Sequence, residues 1–193
     1  MRNRLLRALA TLAVASGVSA PAQTSTWTID PAHSSVNFSV RHMGVSNVHG
    51  SLGGVKGTVN FAEKNITGSS VAATIDAGTI ATGIDARDKH LRSPDFFDVE
   101  KFPAISFRST SLTRKGGQLL LTGDLTLHGV TRSVTLNLDG PAPPQTGQDG
   151  KVRSGFSAEG VLHRSEFNIG TKFASALVGE DVKFSIDVEI DKQ

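Results

Sequence analysis

The segment 182–191 places an apolar residue at every even position and a polar residue at every odd position. Because successive side chains of a β-strand point to opposite faces, this alternation predicts a strand with one face toward a core and the other toward water. The same pattern recurs along most of the chain, and no long stretch with a 3.6-residue period predicts helices that would cover a sheet. Antiparallel strands without covering helices bury their apolar faces in a two-sheet sandwich or in a barrel.

Alternating segments predict strands at 26–30, 34–42, 48–62, 69–80, 104–114, 118–128, 132–139, 151–167 and 179–191. Turn residues such as Asp30-Pro31 and His128-Gly129 separate them. Since the first segment is short enough to extend an edge only, the set can form an all-β, eight-stranded antiparallel barrel. Its inward positions mix many Val and some Ala with larger Leu and Phe, which is compatible with a hollow interior.

The segment 84–103 breaks the β pattern with helix-forming residues. Asp85 is predicted to cap a short helix, and Ser93, which precedes a proline, is predicted to cap a second short turn. A short helical insert between two long strands usually lies at one end of a barrel. We therefore predict that this segment is a lid over that end.

The amino-terminal residues have the organisation of an export signal. Three arginines among the first seven residues form a basic start, a mostly apolar run follows at 8–18, and Ala20-Pro21-Ala22 fits a cleavage site with small residues. We expect cleavage after Ala22, which leaves one domain at 23–193 in the periplasm. This apolar run is too short to span a bilayer.

Charge and composition exclude several classes of protein. Removal of the predicted signal takes away three arginines and no acidic residue, so the formal charge changes from +2 to −1. A nearly neutral chain without a basic run attracts phosphate backbones weakly, so no nucleic-acid partner is expected. The absence of cysteine excludes disulfides, thiol catalysis and zinc–thiolate sites.

The outward positions of the last segment also exclude a barrel embedded in a membrane. They are Lys183, Ser185, Asp187 and Glu189, whereas a membrane barrel needs an apolar outer band with aromatic girdles. The chain has no tyrosine and one tryptophan, Trp27. We therefore expect no stable membrane insertion.

Four strings resemble the YceI-like family: Asp30-Pro-Ala-His-Ser34, Arg41-His-Met-Gly-Val-Ser46, the long segment Ala86 to Pro103, and Gly123-Asp-Leu-Thr-Leu-His-Gly-Val-Thr131. The resemblance implies a periplasmic, lipocalin-like antiparallel barrel that binds a polyisoprenoid or another long-chain amphiphile in its lumen. It also implies homodimers and roles in stress responses. The function expected here is that of a non-enzymatic carrier or sequestering protein, with no catalytic residue.

Two sets of residues are candidates for ligand contact. The strand alternation predicts that eight apolar side chains point into the lumen, and some of them would serve only as core packing. These lumen residues are Phe38, Val40, Ile75, Phe107, Leu125, Leu136, Phe156 and Phe184. Residues predicted to lie near a rim of the barrel or on the lid are candidates for contact with a ligand at the mouth. These mouth residues are Arg41, His42, Met43, Asp88, Phe96, Phe97, Arg164 and Phe167.

Each mouth residue with a polar group has a structural alternative. Arg41 is suited to bidentate hydrogen bonding with a phosphate and His42 to a supporting donor, but Arg41 can also face solvent and His42 can bond the lid. Asp88 is predicted to form an ion-pair network with Arg87 and Arg92. Arg164 is predicted to reach an adjoining strand, where it meets either a ligand or a carboxylate.

The histidines do not have the spacing of a metal site. None of His33, His42, His49, His90, His128 and His163 forms an i,i+2 pair on a strand or an i,i+4 pair on a helix. We therefore expect no metal and no cofactor. Two alternatives stay open from the sequence: a lipid-modifying enzyme that uses His42 and Asp88 as acid and base, and an accessory protein linked to haem or quinone.

Overall fold

The computed structural model describes residues 24–193, so the predicted export signal at 1–22 lies outside the described residues. Eleven strands follow one another: β1 (Thr24–Ile29), β2 (Ser35–His42), β3 (Ser46–Leu52), β4 (Lys56–Ala62), β5 (Ser70–Asp76), β6 (Ala104–Lys115), β7 (Gln118–Leu127), β8 (Val130–Asp139), β9 (Gln145–Thr146), β10 (Val152–His163) and β11 (Val178–Lys192). One α-helix, α1 (Asp85–Arg92), lies between β5 and β6. Short 3₁₀ turns occur at Ile66–Gly68, Ala77–Thr79 and Arg164–Phe167.

Eight of these strands form a closed ring in the order β1-β4-β5-β6-β7-β8-β10-β11, because β11 pairs with both β10 and β1. Every pairing in the ring is antiparallel. The prediction of an eight-stranded antiparallel barrel with a short helical insert is therefore confirmed. Closure leaves no free edge within the ring, and β3 and β9 are the outer strands of the sheet.

The hairpin of β2 and β3 extends the wall at one end of the barrel. The long strand β11 pairs with β1 only over 190–192 and with β2 over 178–187, so the two shorter strands share one of its edges. The outer strand β3 is then linked to the lid segment by an isolated bridge between Ser51 and Ala81. As a result, the wall around this end includes β2 and β3 in place of β1.

Three predicted strand bounds are corrected by the structure. The predicted strand 48–62 is two strands, because Gly54 adopts a φ of +65° between β3 and β4 and turns the chain. The predicted strand 69–80 ends at Asp76, whose carboxylate accepts a hydrogen bond from the Gly78 backbone N–H. The predicted strand 151–167 ends at His163, where a 3₁₀ turn begins.

The lid contains the predicted helix, with a different N-cap. The residue before its first turn is Ile84, so Asp85 is the first helical residue and does not cap the turn. Ser93 follows the last residue of α1, and its hydroxyl donates to the His90 carbonyl over 2.7 Å. The same hydroxyl accepts from the Asp95 backbone N–H over 3.3 Å, so Ser93 caps the following turn, as predicted. The predicted second helical turn is a series of tight turns at 94–97.

Candidate functional site

The barrel encloses an apolar cavity of about 210 Å³, which we call the main cavity. Its lining side chains come from the inward faces of the strands, from the lid and from the segment 164–178, and all of them are apolar except Arg164. All eight predicted lumen residues line it: Phe38, Val40, Ile75, Phe107, Leu125, Leu136, Phe156 and Phe184. Their contact with a ligand stays a prediction.

Two of the phenylalanine rings that line this cavity lie directly beside glycines of the wall. Strand register aligns Gly50, Phe38, Phe184 and Gly160 in one row across β3, β2, β11 and β10. A Cβ atom at Gly160 would lie 2.6 Å from Cζ of Phe184, and one at Gly50 would overlap the Phe38 ring. Glycine at these two positions therefore leaves room for the rings beside the wall, and the interior stays open.

The lid closes one end of the main cavity with apolar side chains. Leu91, Phe96 and Phe97 line the cavity, and the Phe96 ring stacks on Phe173 with a centroid distance of 5.1 Å. Asp95 ties this arrangement to the neighbouring segment through hydrogen bonds from Lys172 and His90, and these bonds hold the pKa of Asp95 below its usual value. The predicted lid residues Phe96 and Phe97 thus line the lidded end of the cavity, and their contact with a ligand stays a prediction.

Arg164 has a structural environment that the sequence did not predict. The side chain is 5 % exposed, and its guanidinium donates to five backbone carbonyls, those of Ile169, Gly170, Phe173, Val178 and Gly179, over 2.6–3.3 Å. Every guanidinium nitrogen therefore has a protein acceptor. Arg164 does reach the adjoining strand β11, where Oε2 of Glu180 also lies 3.8 Å from its Nη2, so a carboxylate is present beside the backbone carbonyls that are its main partners. Its contact with a ligand stays a prediction.

Phe167 is packed beside Arg164 and is 1 % exposed. Its side chain lines the main cavity, and its carbonyl lies 3.1 Å from Nδ1 of His128 at the turn between β7 and β8. The predicted position of Phe167 at the end of the lumen agrees with this geometry. Its contact with a ligand stays a prediction.

The predicted ion-pair network around Asp88 is wrong. The buried carboxylate of Asp88 accepts hydrogen bonds from the backbone N–H of Thr82, over 2.8 Å, and from the Thr82 hydroxyl. These bonds hold the pKa of Asp88 below its usual value. Arg87 donates to Thr82 and Arg92 donates to the Gly78 and Ile80 carbonyls. Asp88 fixes the start of the lid and does not line the main cavity.

Arg41, His42 and Met43 lie at the exposed tip of the β2–β3 hairpin, beyond the lidded end. None of the three lines the main cavity. Arg41 donates to the Asn47 side chain over 3.3 Å, and the Met43 backbone N–H donates to the Leu177 carbonyl. The solvent-facing alternative for Arg41 therefore describes this structure, and a head-group contact would have to lie outside the cavity.

A charged cluster lies on the outside of the barrel, where spacing along the sequence did not predict one. The side chains of Asp30, His33 and Glu189 converge there, and Nδ1 of His33 lies 2.7 Å from Oδ2 of Asp30. Arg153 contacts Glu189 and Asp191 in the same cluster. The hydrogen bond between His33 and Asp30 raises the pKa of His33 and lowers the pKa of Asp30.

Replacing His33 with glutamine is expected to change the pH dependence of stability. A histidine whose pKa is raised by folding stabilises the folded state fully below its ordinary pKa of 6.5, and that contribution is lost as the pH rises through the folded pKa. Melting temperatures at about pH 5 to about pH 8 should therefore differ most between His33→Gln and the parent at the acidic end. A constant difference across this range would contradict the expectation. His49→Gln, at an exposed histidine on β3, is the control.

A closed antiparallel barrel with one lidded apolar cavity defines a class of lipocalin-like barrel proteins. A YceI-like domain model matches residues 27–190. This chain therefore belongs to the YceI-like family, as the sequence predicts. Protein YceI of Salmonella arizonae is 41% identical over 157 residues, which cover 81% of each chain.

Solved structures share the fold. The Campylobacter jejuni YceI protein superposes with a TM-score of 0.69 and 28% identity over 79% of this chain and 90% of that one. Burkholderia cenocepacia BcnA superposes with a TM-score of 0.75 and 22% identity over 83% and 98%. A polyisoprenoid-binding domain from Saccharophagus degradans gives a TM-score of 0.62 and 14% identity over 86% and 98%. At residues 24–193 no helix is long and apolar enough to cross a membrane.

Proposed function

We propose that this protein is a periplasmic carrier or sequestering protein for a polyisoprenoid or another long-chain amphiphilic lipid, whose tail lies in the main cavity. The observation that carries the proposal is the cavity itself, which is apolar except for an arginine that backbone carbonyls already satisfy. Such a lining favours a hydrocarbon and offers no free polar group to a polar ligand. The polyisoprenoid-binding relative in the same fold and the predicted export signal support the ligand class and the compartment.

The size of the main cavity is appropriate for a slender chain. A water-sized group needs about 10–15 Å³ of such a cavity, so 210 Å³ holds roughly 14 to 21 groups of that size. A dozen buried methylenes contribute about 10 kcal/mol before the costs of association and ordering, which leaves several kcal/mol of net affinity. A longer polyisoprenoid would leave part of its chain and its head group outside the barrel.

The lidded end is the proposed mouth. Phe96, Phe97 and Phe167 line the cavity there and would contact the tail near its exit. A head group would then lie in solvent at the end where the β2–β3 hairpin carries Arg41 and His42, whose side chains can donate hydrogen bonds to an anionic group. The proposed role needs no chemical step.

The enzyme alternative is not supported by the geometry. Its proposed acid and base, His42 and Asp88, do not line the cavity that would hold the lipid, and Asp88 accepts two hydrogen bonds from Thr82. We therefore retain binding as the proposed function.

Mass spectrometry of the purified full chain tests the proposal. The protein is extracted with organic solvent, and displacement of a fluorescent fatty acid is measured in parallel. The expected result is a copurified lipid or saturable displacement by a long-chain lipid. Absence of both would overturn the proposed function.

Replacing Ala73 with phenylalanine is expected to abolish most of this binding. Ala73 lines the main cavity on β5, and a phenyl ring there would occupy space that the tail needs. We expect affinity for the fluorescent fatty acid to fall at least about tenfold, because several methylenes lose their burial.

The matched control is Ala72→Phe, since Ala72 neighbours Ala73 on the same strand and does not line the cavity. It adds the same ring on the outer face and should leave affinity unchanged. Equal affinity for the Ala73→Phe variant and the parent would place the ligand outside the main cavity.

A further inference from the structure

A second apolar space lies in the barrel beyond the main cavity, away from the lid. We call it the rear chamber; its volume is about 40 Å³. Its lining includes Val71, Leu121, Leu138 and Phe156. Strand β7 shows where this chamber lies. Its residues Leu127 and Leu125, nearer the lid, line the main cavity, and Leu121, farther from the lid, lines both spaces.

Three side chains line both spaces: Val71, Leu121 and Phe156. Because these side chains face both the main cavity and the rear chamber, they form the partition between the two. They come from β5, β7 and β10, on different sides of the ring. Phe156 has the largest side chain of the three.

We propose that Phe156, with Val71 and Leu121, sets the length of the hydrocarbon chain that the barrel accepts. This inference rests on the proposed function. A linear tail that enters from the lidded end meets the partition at the far end of the main cavity, and carbons beyond that point gain no further burial. The rear chamber continues the same apolar path behind it.

The volumes predict how much the optimum chain length would increase without the partition. Since a water-sized group needs about 10–15 Å³, a volume of 40 Å³ holds about three such groups, and a methylene is close to that size. Each additional methylene that becomes buried increases affinity about fourfold. Removal of the Phe156 ring should therefore move the optimum chain length by at least about three carbons.

The test uses Phe156→Ala in the full chain and saturated fatty acids of roughly ten to twenty carbons, which compete with a bound fluorescent fatty acid. In the parent, affinity should stop rising at the length that fills the main cavity. In Phe156→Ala it should rise further, about fourfold for each added carbon, before it levels off.

A second substitution separates this effect from general enlargement. Leu138 lines the rear chamber and not the main cavity, so Leu138→Phe should fill that chamber and return the Phe156→Ala variant to the parental optimum. Should Phe156→Ala fail to fold, Val71→Ala must give a smaller shift in the same direction.

The outcomes distinguish the two proposals. An unchanged optimum in a folded variant that still binds fatty acids overturns the role of the partition and leaves the carrier function intact. A shift that Leu138→Phe does not reverse also overturns it. Failure of the parent to bind any chain overturns the proposed function, and the length selection with it.

Discussion

Replacing Arg164 with alanine is expected to destabilise the folded barrel by about 3 kcal/mol or more. The substitution leaves the carbonyls of Ile169, Gly170 and Phe173 without their buried donor, and an unsatisfied buried polar group costs about 1–3 kcal/mol. Water that enters the space recovers part of this cost. Because Arg164 holds the segment 164–177 against the start of β11, we also expect that segment to lose protection in hydrogen exchange.

Denaturant unfolding at neutral pH measures the change in stability, and Arg132→Ala provides the matched control. Arg132 is exposed and donates one long hydrogen bond, 3.4 Å, to the Glu166 carbonyl in the same region. Its loss should cost no more than about 0.5 kcal/mol. If Arg164→Ala lies within about 1 kcal/mol of the parent, the five carbonyls do not depend on the guanidinium, and our interpretation of this side chain is wrong.

Replacing Gly160 with alanine is expected to close part of the main cavity from inside. The new Cβ would lie 2.6 Å from Cζ of Phe184, which is closer than two carbon atoms can approach, and 3.1 Å from Leu136. The ring must therefore leave the wall and move into the space proposed for the tail. We expect a loss of about 1–3 kcal/mol of stability and at least about a tenfold loss of affinity for a fluorescent fatty acid.

A second-site change tests whether the ring is the cause. Phe184→Leu shortens the displaced side chain, so the double variant with Gly160→Ala should regain affinity relative to Gly160→Ala alone. Gly53→Ala is the control, since a Cβ atom at Gly53 would meet no heavy atom within 4 Å and the residue has no positive φ. Parental affinity in Gly160→Ala would mean that the ring and the glycine accommodate each other without loss of the cavity.

The family strings and the strand alternation predicted more of this protein than its charged residues did. The inward phase places Phe38 and Phe184 on the cavity wall, because the period of a strand is a local property of the sequence. The row that joins these rings to Gly50 and Gly160 was not predicted, since it depends on the register between strands that lie far apart in the sequence.

The polar residues were harder to assign for a related reason. Asp88 carries charged neighbours on its helix, which favours an ion-pair interpretation, but its partner is Thr82, in the loop before that helix. Arg164 was placed correctly at the end of a strand, whereas its acceptors are backbone carbonyls. Backbone carbonyls occur at every residue, so a sequence does not show which of them will be left without a donor.

By itself the sequence determined the β architecture, the inward positions, the lid segment and the family. These follow from alternation, from helix-forming residues and from long motif strings, all of which are read along the chain. Only the tertiary structure decided that β11 closes the ring, that glycines lie beneath two cavity rings, that Arg164 donates to backbone carbonyls and that Phe156 lines two spaces. These features depend on distances between segments far apart in sequence, which packing and register establish when the barrel closes.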